Sequence, residues 1–477
     1  MTTPSGARAA DVVVIGAGIA GLVLAHDLAR TGASVIVCEA SDHLGGLLRR
    51  GSLAGMDVDL GAESFATRTD AVAALVADAG LGLELVAPRP GGAFLAVAAP
   101  DGPVRAPLPR RTVLGIPAEP LAADVVAVIG ADAAARAARE SELPPFDATA
   151  PEPRLFDLVA ERCGPAVAER LVDTLCRSVY SRPATELRLS HLHPGMWRAL
   201  LATGSLTAAA AELASTTRAG AAVGGIAGGM WRLPDALAAA ARAHGAEIRT
   251  GATVAAIGGD AEALVVRTDG ADIVARRVVL ATGPAVADRL LGDGDQAHAP
   301  SPGTVRVVAA AVDHAGLDAV PVGSGVIVDP ALDTAAKALT HVTAKWAWAD
   351  AAAPAGRHVV RLSARDADGS GLESAADVAR ELALLTGVDV RPADIVDVVA
   401  QDWPDAVASG APADPRRTAR VAAAQARGIH QTGAAAAGTG LASVIPHARA
   451  LAARVTAELA RAPHPSARVT DPTRSLA

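Results

Sequence analysis

The stretch Asp11–Glu39, DVVVIGAGIAGLVLAHDLARTGASVIVCE, decides the fold. It opens with a short β-branched apolar run, which is typical of a buried parallel strand. GAGIAG follows at 16–21, then an amphipathic helix that ends at Gly32, a second strand at 34–38 and an acid, Glu39. Strand, GxGxxG, helix, strand and acid in this order form the fingerprint of a dinucleotide-binding βαβ unit. The sequence therefore predicts an α/β fold with a Rossmann-like domain.

Each position of this fingerprint has a predicted task. Gly16 permits the tight turn, Gly18 lets the backbone approach a pyrophosphate, and Gly21 lets helix and strand pack closely. The helix N-terminus offers free N–H groups to the phosphates. Glu39 is placed to bind both ribose hydroxyls, which argues against a 2′-phosphate and hence against NADP. The predicted cofactor residues of this unit are Gly16, Gly18, Ile19, Ala20, Gly21, Glu39 and Ala40.

The bulk composition narrows the class of protein. The chain has 477 residues, 51% of them hydrophobic and 20% charged, which is globular and long enough for two or three structural units. A net charge of −8 does not favour nucleic acid as a partner. Three cysteines without metal or CxxC spacing indicate a reducing compartment, no disulfide framework and no metal. No signal peptide and no transmembrane segment are evident, so we expect a cytoplasmic protein, with peripheral membrane association left open.

A second glycine pattern follows the ribose acid. Gly45-Gly46 comes soon after Glu39, and a glycine-led segment, Gly61-Ala-Glu-Ser64, returns toward the cofactor. This pattern resembles the flavin amine oxidase superfamily, which includes phytoene desaturases and porphyrinogen oxidases and whose cofactor is FAD. There the double glycine runs along the pyrophosphate and isoalloxazine, although His43 and Leu47 replace its usual basic neighbours here. The resemblance implies FAD and adds the cofactor residues Gly45, Gly46, Leu47, Gly61, Ala62, Glu63 and Ser64.

Later segments resemble those in which the chain of that family returns to the FAD-binding domain. A valine offers main-chain groups to the adenine, and an ATG sequence ends a strand beneath the cofactor. A C-terminal glycine turn then opens a helix, from about Ala442, whose N–H groups point at the flavin pyrimidine. A tryptophan that follows Asp402 either lines the flavin or fills the core. These segments add Val254, Ala281, Thr282, Trp403, Gly433, Gly440, Leu441 and Ala442 to the predicted cofactor residues.

Four stretches narrow the resemblance to the porphyrinogen oxidases, and most closely to the Gram-positive coproporphyrinogen III oxidase type, also known as protoporphyrinogen oxidase. They are Leu108–Pro117, Ser178–Pro183, the pair Ser324–Val328 with Thr343–Trp346, and Gly433–Leu441. The resemblance implies FAD-dependent oxidation of coproporphyrinogen III to coproporphyrin III in haem biosynthesis. O2 would reoxidise the flavin and give H2O2. The ferrochelatase of the same pathway is a candidate partner.

The substrate half departs from the family. Arg182 replaces a glycine, and Asp402 stands where an arginine is usual. A porphyrinogen requires an aliphatic pocket with cations at its rim for the propionates. The substrate candidates are Arg110, Arg182, Tyr180 and Lys345. Lys345 is also the catalytic candidate, since some amine oxidases hold a lysine through water to flavin N5; the alternative is a surface strand lysine.

Other functions stay open at this stage. The substrate could be protoporphyrinogen instead. Another flavin oxidase or desaturase is a second alternative, but an amine oxidase builds an aromatic cage and this chain has one tyrosine. The divergent substrate half leaves a non-catalytic flavin-binding protein of the haem pathway as a third.

The segments combine into a predicted domain organisation. A Rossmann-like FAD-binding domain of the amine oxidase type is interleaved with an α+β substrate-binding domain and a helical insertion. The predicted bounds are 1–88, 226–294 and 402–465 for the discontinuous FAD-binding domain, 89–225 for the mainly helical insertion, 295–401 for the substrate-binding region and 466–477 for a flexible tail.

Overall fold

A computed structural model describes residues 8–99, 102–180, 182–214, 223–292, 304–365, 371–404, 415–438 and 440–461, so the predicted tail lies outside the described residues. The strands of this part are β1 (Arg8–Ile15), β2 (Val35–Cys38), β3 (Arg50–Leu53), β4 (Met56–Asp59), β5 (Phe65–Ala66), β6 (Leu85–Val86), β7 (Phe94–Val97), β8 (Val104–Pro107), β9 (Thr112–Val113), β10 (Ile116–Pro117), β11 (Val223–Ile226), β12 (Glu247–Arg249), β13 (Val254–Gly259), β14 (Leu264–Thr268), β15 (Ile273–Leu280), β16 (Val305–Asp313), β17 (Gly325–Val328), β18 (Ala338–His341), β19 (Arg357–Arg365), β20 (Ile395–Trp403) and β21 (Ile429–Gln431).

Helices alternate with these strands in the first and last parts of the chain and cluster in between. They are α1 (Ile19–Ala29), α2 (Ala71–Asp78), α3 (Ala123–Ile129), α4 (Ala131–Ala138), α5 (Leu155–Cys163), α6 (Pro165–Val167), α7 (Leu189–Leu192), α8 (Pro194–Thr203), α9 (Leu206–Leu213), α10 (Arg232–Ala243), α11 (Pro284–Leu290), α12 (Val342–Lys345), α13 (Ala347–Ala352), α14 (Ala375–Thr386), α15 (Pro415–Ala426), α16 (Ala434–Ala437) and α17 (Leu441–Arg461). Two π-helical turns, Ala168–Asp173 and Cys176–Tyr180, follow α6.

The first sheet is the predicted Rossmann-like layer. β1 is parallel to β2 on one side and to β15 on the other, and β12 and β21 extend the parallel part at its two ends. Because successive side chains of a strand point to opposite faces, Val12 and Val14 of β1 join the core beneath α1, α10 and α17. Val13 and Ile15 face the other way and pack with Leu264 of the antiparallel β13–β14 hairpin. The sheet is therefore covered on both faces, as its continuous apolar β1 predicts.

The second sheet has seven strands in the order β20-β16-β19-β18-β17-β7-β8. All neighbours are antiparallel except β17 and β7, which are parallel. One face packs against α14, as the core shared by Val360 and Leu382 shows. The other face packs against the β3–β4 hairpin and α12–α13, through Val58, Trp346 and Val359. The β3–β4 hairpin thus connects the part of the chain that forms the first sheet to the second sheet.

A helical unit comprises α3–α9 with its own core. A buried ion pair holds it together: the Glu140 carboxylate accepts from Arg162 Nε at 2.5 Å and from the backbone N–H of Leu206 at 2.9 Å. The hydroxyl of Thr207 also donates to Glu140, at 2.8 Å. Glu140 has no exposed surface, so these partners replace the water that the carboxylate loses on folding.

Two strand pairings cross the predicted domain bounds. The segment 89–225 is not only helical at its start, because β7 and β8 belong to the second sheet, where β7 pairs with β17. The bound at 402 falls inside β20, whose last residue Trp403 pairs with Val305 in the same sheet. In both cases strands distant in the chain form neighbours, and that pairing leaves no local sequence signal.

The buried Glu140 gives a prediction about stability. Glu140→Ala leaves the Arg162 guanidinium buried without its counter-charge, so we expect the free energy of unfolding to fall by about 3–5 kcal/mol. Urea unfolding followed by circular dichroism measures this loss. Glu142→Ala, two residues after Glu140 in the same turn and exposed, is the control and should change stability by less than about 0.5 kcal/mol. Equal effects of the two variants would contradict the prediction.

Candidate cofactor site

The glycine turn at the carboxyl end of β1 allows α1 to lie directly on the strand. Gly16 has φ +101°, and a Cβ built on Gly21 would lie 2.0 Å from the Gly16 carbonyl oxygen. Only glycine fits at such a distance. Gly18, the N-cap of α1, differs: a Cβ there would meet nothing within 4 Å. Gly16 and Gly21 are therefore required by the fold, whereas Gly18 borders open space.

Glu39 lies at the end of β2 and supports the same turn. Its Oε2 accepts from the backbone N–H of Ala17 at 2.8 Å, and its Oε1 accepts from the N–H and hydroxyl of Ser41 at 3.0 and 2.8 Å. The Glu39 carbonyl accepts from Ala252 N, two residues before Val254. The structure thus brings the predicted ribose acid, the glycine turn and the start of β13 together.

The glycine pair Gly45-Gly46 lies directly against the first turn. Gly45 and Gly18 form a parallel bridge, and Gly45 N donates to Ala17 O at 2.9 Å. A Cβ on Gly46 would lie 3.4 Å from the Gly18 Cα. Both glycines have positive φ, +100° and +58°, which favours glycine. The two motifs therefore form one backbone surface.

The ends of β15 and β21 complete this surface. Ala281 N donates to Ile15 O at 2.8 Å, which places the predicted ATG segment beside the glycine turn. A Cβ on Gly433, which follows β21 and has φ +74°, would lie 3.3 Å from the Ala20 Cβ. We call Gly16–Gly21, Gly45–Gly46, Ala281–Thr282 and Gly433 the glycine cradle.

The helix α17 begins close to the cradle. It starts at Leu441, one residue before the predicted start, and packs along α1 through Val444 and Ala448. Gly440 O accepts from the N–H groups of Ser443 and Val444. A Cβ on Gly440 would meet nothing within 4 Å. The first N–H groups of a helix have no intrahelical acceptor, so those of Leu441 and Ala442 are the groups of α17 that a ligand would use.

The predicted flavin segment Gly61–Ser64 is tied to the residue after the glycine pair. Ala62 N donates to Leu47 O at 2.9 Å, and a Cβ on Gly61 would lie 1.7 Å from that same oxygen. Trp403 packs 3.4 Å from the same Cβ position, and its indole N–H donates to Leu60 O at 2.7 Å. Trp403, on the second sheet, thus packs against this segment.

Four charged side chains lie around this segment; we call Asp59, Glu63, Lys345 and Arg361 the charge cluster. Lys345 Nζ donates to Glu63 Oε1 at 2.5 Å, and the Trp346 indole donates to Glu63 Oε2 at 2.7 Å. Burial acts to raise the pKa of the Glu63 carboxyl, but Lys345 and Arg361 outweigh it, so this pKa lies below its usual range. Lys345 ends the helix α12 and its side chain is 12% exposed. The alternative of a surface strand lysine is therefore wrong.

Sequence reasoning missed Arg361 and Asp59. The Arg361 guanidinium donates to the Gly61 carbonyl, and Asp59 accepts from the backbone N–H groups of Met230 and Trp231 at 2.9 and 3.0 Å. Burial raises the pKa of the Asp59 carboxyl to about 6. Period-two alternation along β19 puts Arg361 on the same face as the buried Val359, which is the one sequence signal for it.

A cavity of about 350 Å³ borders the charge cluster on the side of the β3–β4 hairpin. Its walls are mainly apolar and include Val58, Val342, Trp346, Trp348 and Val359. None of its lining residues belongs to the glycine cradle. Its volume lies within the range of small-molecule pockets.

The predicted substrate residues lie mostly outside this assembly. Arg182 Nη2 pairs with Glu186 at 2.9 Å on the helical unit. Arg110 is exposed, and its backbone N–H donates to Asp124. The side chain of Tyr180 lies outside the described residues. In the part of the chain that the structure describes, no three His, Cys, Asp or Glu side chains are grouped as metal ligands.

The cradle fits an extended dinucleotide. A Cβ on Gly18 or Gly440 would meet nothing within 4 Å, and these glycines directly precede α1 and α17, whose first N–H groups suit an anion. Glu39, the predicted ribose acid, lies beside the glycine turn. Together with the second, mainly antiparallel sheet, these features are typical of two-sheet flavoprotein oxidoreductases.

Comparison with known proteins identifies the family. The family described as flavin containing amine oxidoreductase matches residues 19–458. The chain belongs to this family, and its cofactor is FAD.

Relatives within the family carry more specific names. The chain is 31% identical over 408 residues to a coproporphyrinogen III oxidase of Mycobacterium tuberculosis H37Rv, which covers 83% of this chain and 86% of the relative. It is 30% identical over 468 residues to a coproporphyrinogen III oxidase of Mycobacterium leprae, a match that covers 94% of this chain and 98% of the relative. A solved structure of a candidate protoporphyrinogen oxidase from Exiguobacterium sp. 255-15 shares the fold with TM-score 0.77 and 22% identity, covering 94% and 99%.

Among the described helices, none combines the length and apolarity needed to cross a membrane.

The open space at Gly18 gives a prediction about FAD binding. Gly18 has φ −68°, so Gly18→Val leaves the backbone unstrained and places its side chain where the pyrophosphate is predicted. We expect the purified variant to fold and FAD affinity to fall at least about 100-fold. Absorbance near the flavin bands and FAD titration measure this. Gly258→Val on β13, where a Cβ also meets nothing, is the control; a fully yellow Gly18→Val protein would refute the placement.

The buried Asp59 predicts a pH-dependent stability. Burial raises the pKa of the Asp59 carboxyl from 3.8 to about 6, so protonation of this carboxyl favours the folded state. This contribution to stability is fully present below pH 3.8 and is lost as the pH rises through 6. Across this pH range the contribution of Asp59 to the free energy of unfolding changes by roughly 3 kcal/mol. Urea unfolding of wild type and Asp59→Asn at several pH values tests it, since asparagine does not titrate. A constant difference between the two proteins across the range would contradict the prediction.

Proposed function

We propose that this protein oxidises coproporphyrinogen III to coproporphyrin III, with FAD as cofactor, O2 as electron acceptor and H2O2 as product, in haem biosynthesis. The observation that carries the proposal is the near full-length similarity to relatives named for that activity. The glycine cradle supports it independently, because it fits the required cofactor.

The chain's own groups divide the work of holding FAD. Bound FAD supplies a two-electron acceptor for hydride from carbon. The backbone at Gly16–Gly21 and Gly45–Gly46 holds the pyrophosphate, and Glu39 the ribose. The N–H groups at the start of α17 stabilise negative charge at the pyrimidine end. The remaining residues proposed to contact FAD are Ala40, Leu47, Gly61, Ala62, Glu63, Ser64, Val254, Ala281, Thr282, Trp403, Gly433, Gly440, Leu441 and Ala442.

The substrate side requires orientation more than chemistry. A large apolar macrocycle must present one bridging carbon to the flavin, which needs apolar walls and cations for the propionates. The cavity beside the charge cluster supplies aliphatic and indole walls. Arg110, Arg182 and Tyr180 stay candidates for the rim, and Arg182 would have to exchange its Glu186 partner for a propionate. Contact with the ferrochelatase, as the consumer of the product, also stays a prediction.

The ring inventory gives less support to an amine oxidase. An aromatic cage needs two rings that face each other beside the flavin, and the chain has one tyrosine. In the described part of the chain, the Trp346 indole N–H donates to Glu63, Trp403 donates to Leu60 O, and Trp231 is covered by Arg50. Trp346 and Trp348 line the same cavity, and none of the residues that line this cavity belongs to the glycine cradle.

Aerobic incubation of the purified, yellow protein with each porphyrinogen tests the proposal, with porphyrin fluorescence and H2O2 both recorded. We expect turnover of both, with coproporphyrinogen III favoured at least about 10-fold in kcat/KM, since its two extra propionates add charge-assisted contacts. Putrescine is assayed in parallel as a representative amine, to test the alternative of an amine oxidase.

Two controls make the outcome decisive. Buffer without protein measures spontaneous porphyrinogen oxidation, and Gly18→Val measures any flavin-independent rate. A yellow protein that forms no H2O2 from either porphyrinogen would reject the proposal. Faster turnover of putrescine would replace it with an amine oxidase.

A further inference from the structure

One buried contact joins the second sheet to the predicted flavin segment. Arg361 lies on β19, is 9% exposed, and donates from Nη2 to the Gly61 carbonyl at 2.5 Å. The two residues are 300 positions apart. Among the described residues, the Arg361 Nε has no hydrogen-bond partner. Removing a guanidinium from water costs free energy, so specific contacts must offset that cost.

Charge balance alone does not account for Arg361. Glu63 already has a cation, since Lys345 Nζ lies 2.5 Å from its carboxylate. Asp59 already accepts two backbone N–H groups. The contact that distinguishes Arg361 within the charge cluster is therefore the one to the Gly61 carbonyl.

The peptide between Gly61 and Ala62 is held from its other side by Leu47. A Cβ on Gly61 would lie 1.7 Å from Leu47 O, and Ala62 N donates to that oxygen. Leu47 follows the Gly45-Gly46 pair directly. A hydrogen bond from Arg361 on one side and the Leu47 carbonyl on the other leave this peptide little freedom to rotate.

We propose that Arg361 is a positioning residue for the bound flavin, which fixes the Gly61 carbonyl and hence the backbone Gly61–Ser64 that lies along the isoalloxazine. This rests on the proposed placement of FAD in the cradle. Arg361 acts through Gly61 and does not itself contact the ring.

Arg361→Met in the full chain, stripped of flavin and titrated with FAD, tests the proposal. Loss of a charged hydrogen bond predicts an FAD Kd about 10-fold to 100-fold higher. The visible circular dichroism of the bound flavin should also change, because the ring rests on a displaced backbone. If Arg361→Met does not fold, Arg361→Lys carries the test: it keeps a cation beside Glu63 and Asp59 but lacks the planar donor pair, and we expect the same direction of change.

Two controls on the same strand separate positioning from stability. Leu362→Ala opens the opposite, buried face of β19 and lowers stability without touching the cluster. Arg357→Met removes an exposed pair with Asp313. Both should keep the wild-type FAD Kd and flavin spectrum. A wild-type Kd and spectrum in the Arg361 variants, or equal changes in Leu362→Ala, would overturn the proposal. Neither readout uses a porphyrinogen, so failure of the proposed activity would leave this result intact.

Discussion

The close approach of α1 to the turn after β1 is the constraint on which the rest of the structure depends. With the Gly21 Cα above the Gly16 carbonyl, no side chain can separate helix and strand. The helix therefore begins at the carboxyl edge of the sheet, and its N-terminus points along that edge. α10 and α17 then pack on α1, which brings the start of α17 to the same place. Three distant parts of the chain thus meet at one backbone surface.

The junction between the two sheets uses a different kind of interaction. An apolar core of Val58, Trp346 and Val359 supplies most of the burial, but it is non-directional. The charge cluster adds direction, because Glu63 must satisfy both Lys345 and Trp346 at once. A buried ion pair contributes little net stability, whereas breaking one is costly. The cluster therefore specifies how the β3–β4 hairpin sits on the second sheet more than it strengthens that contact.

The parts that sequence predicted are those encoded locally. The glycine turn, its helix and Glu39 lie within about thirty residues, and each has a backbone reason for its residue type. The pairing of β7 with β17 could not be predicted, since it joins residues 94 and 326 with no shared motif. The same holds for Arg361: strand alternation places it inward, but only the fold shows that Gly61 lies opposite. The two π-helical turns could not be predicted either, because a short apolar pattern fits several helical periods.

The difference between locally encoded features and long-range contacts explains why the cofactor is easier to infer than the substrate. In the proposed placement, main-chain groups hold FAD, so its site requires glycines at fixed spacings whatever the surrounding side chains are. The proposed substrate residues act through their side chains, and they come from segments that meet only after long-range pairing. One fold of this kind serves many substrates. We therefore expect the residues that select the proposed substrate where the two sheets meet, beside the charge cluster, and not in the motifs that identify the fold.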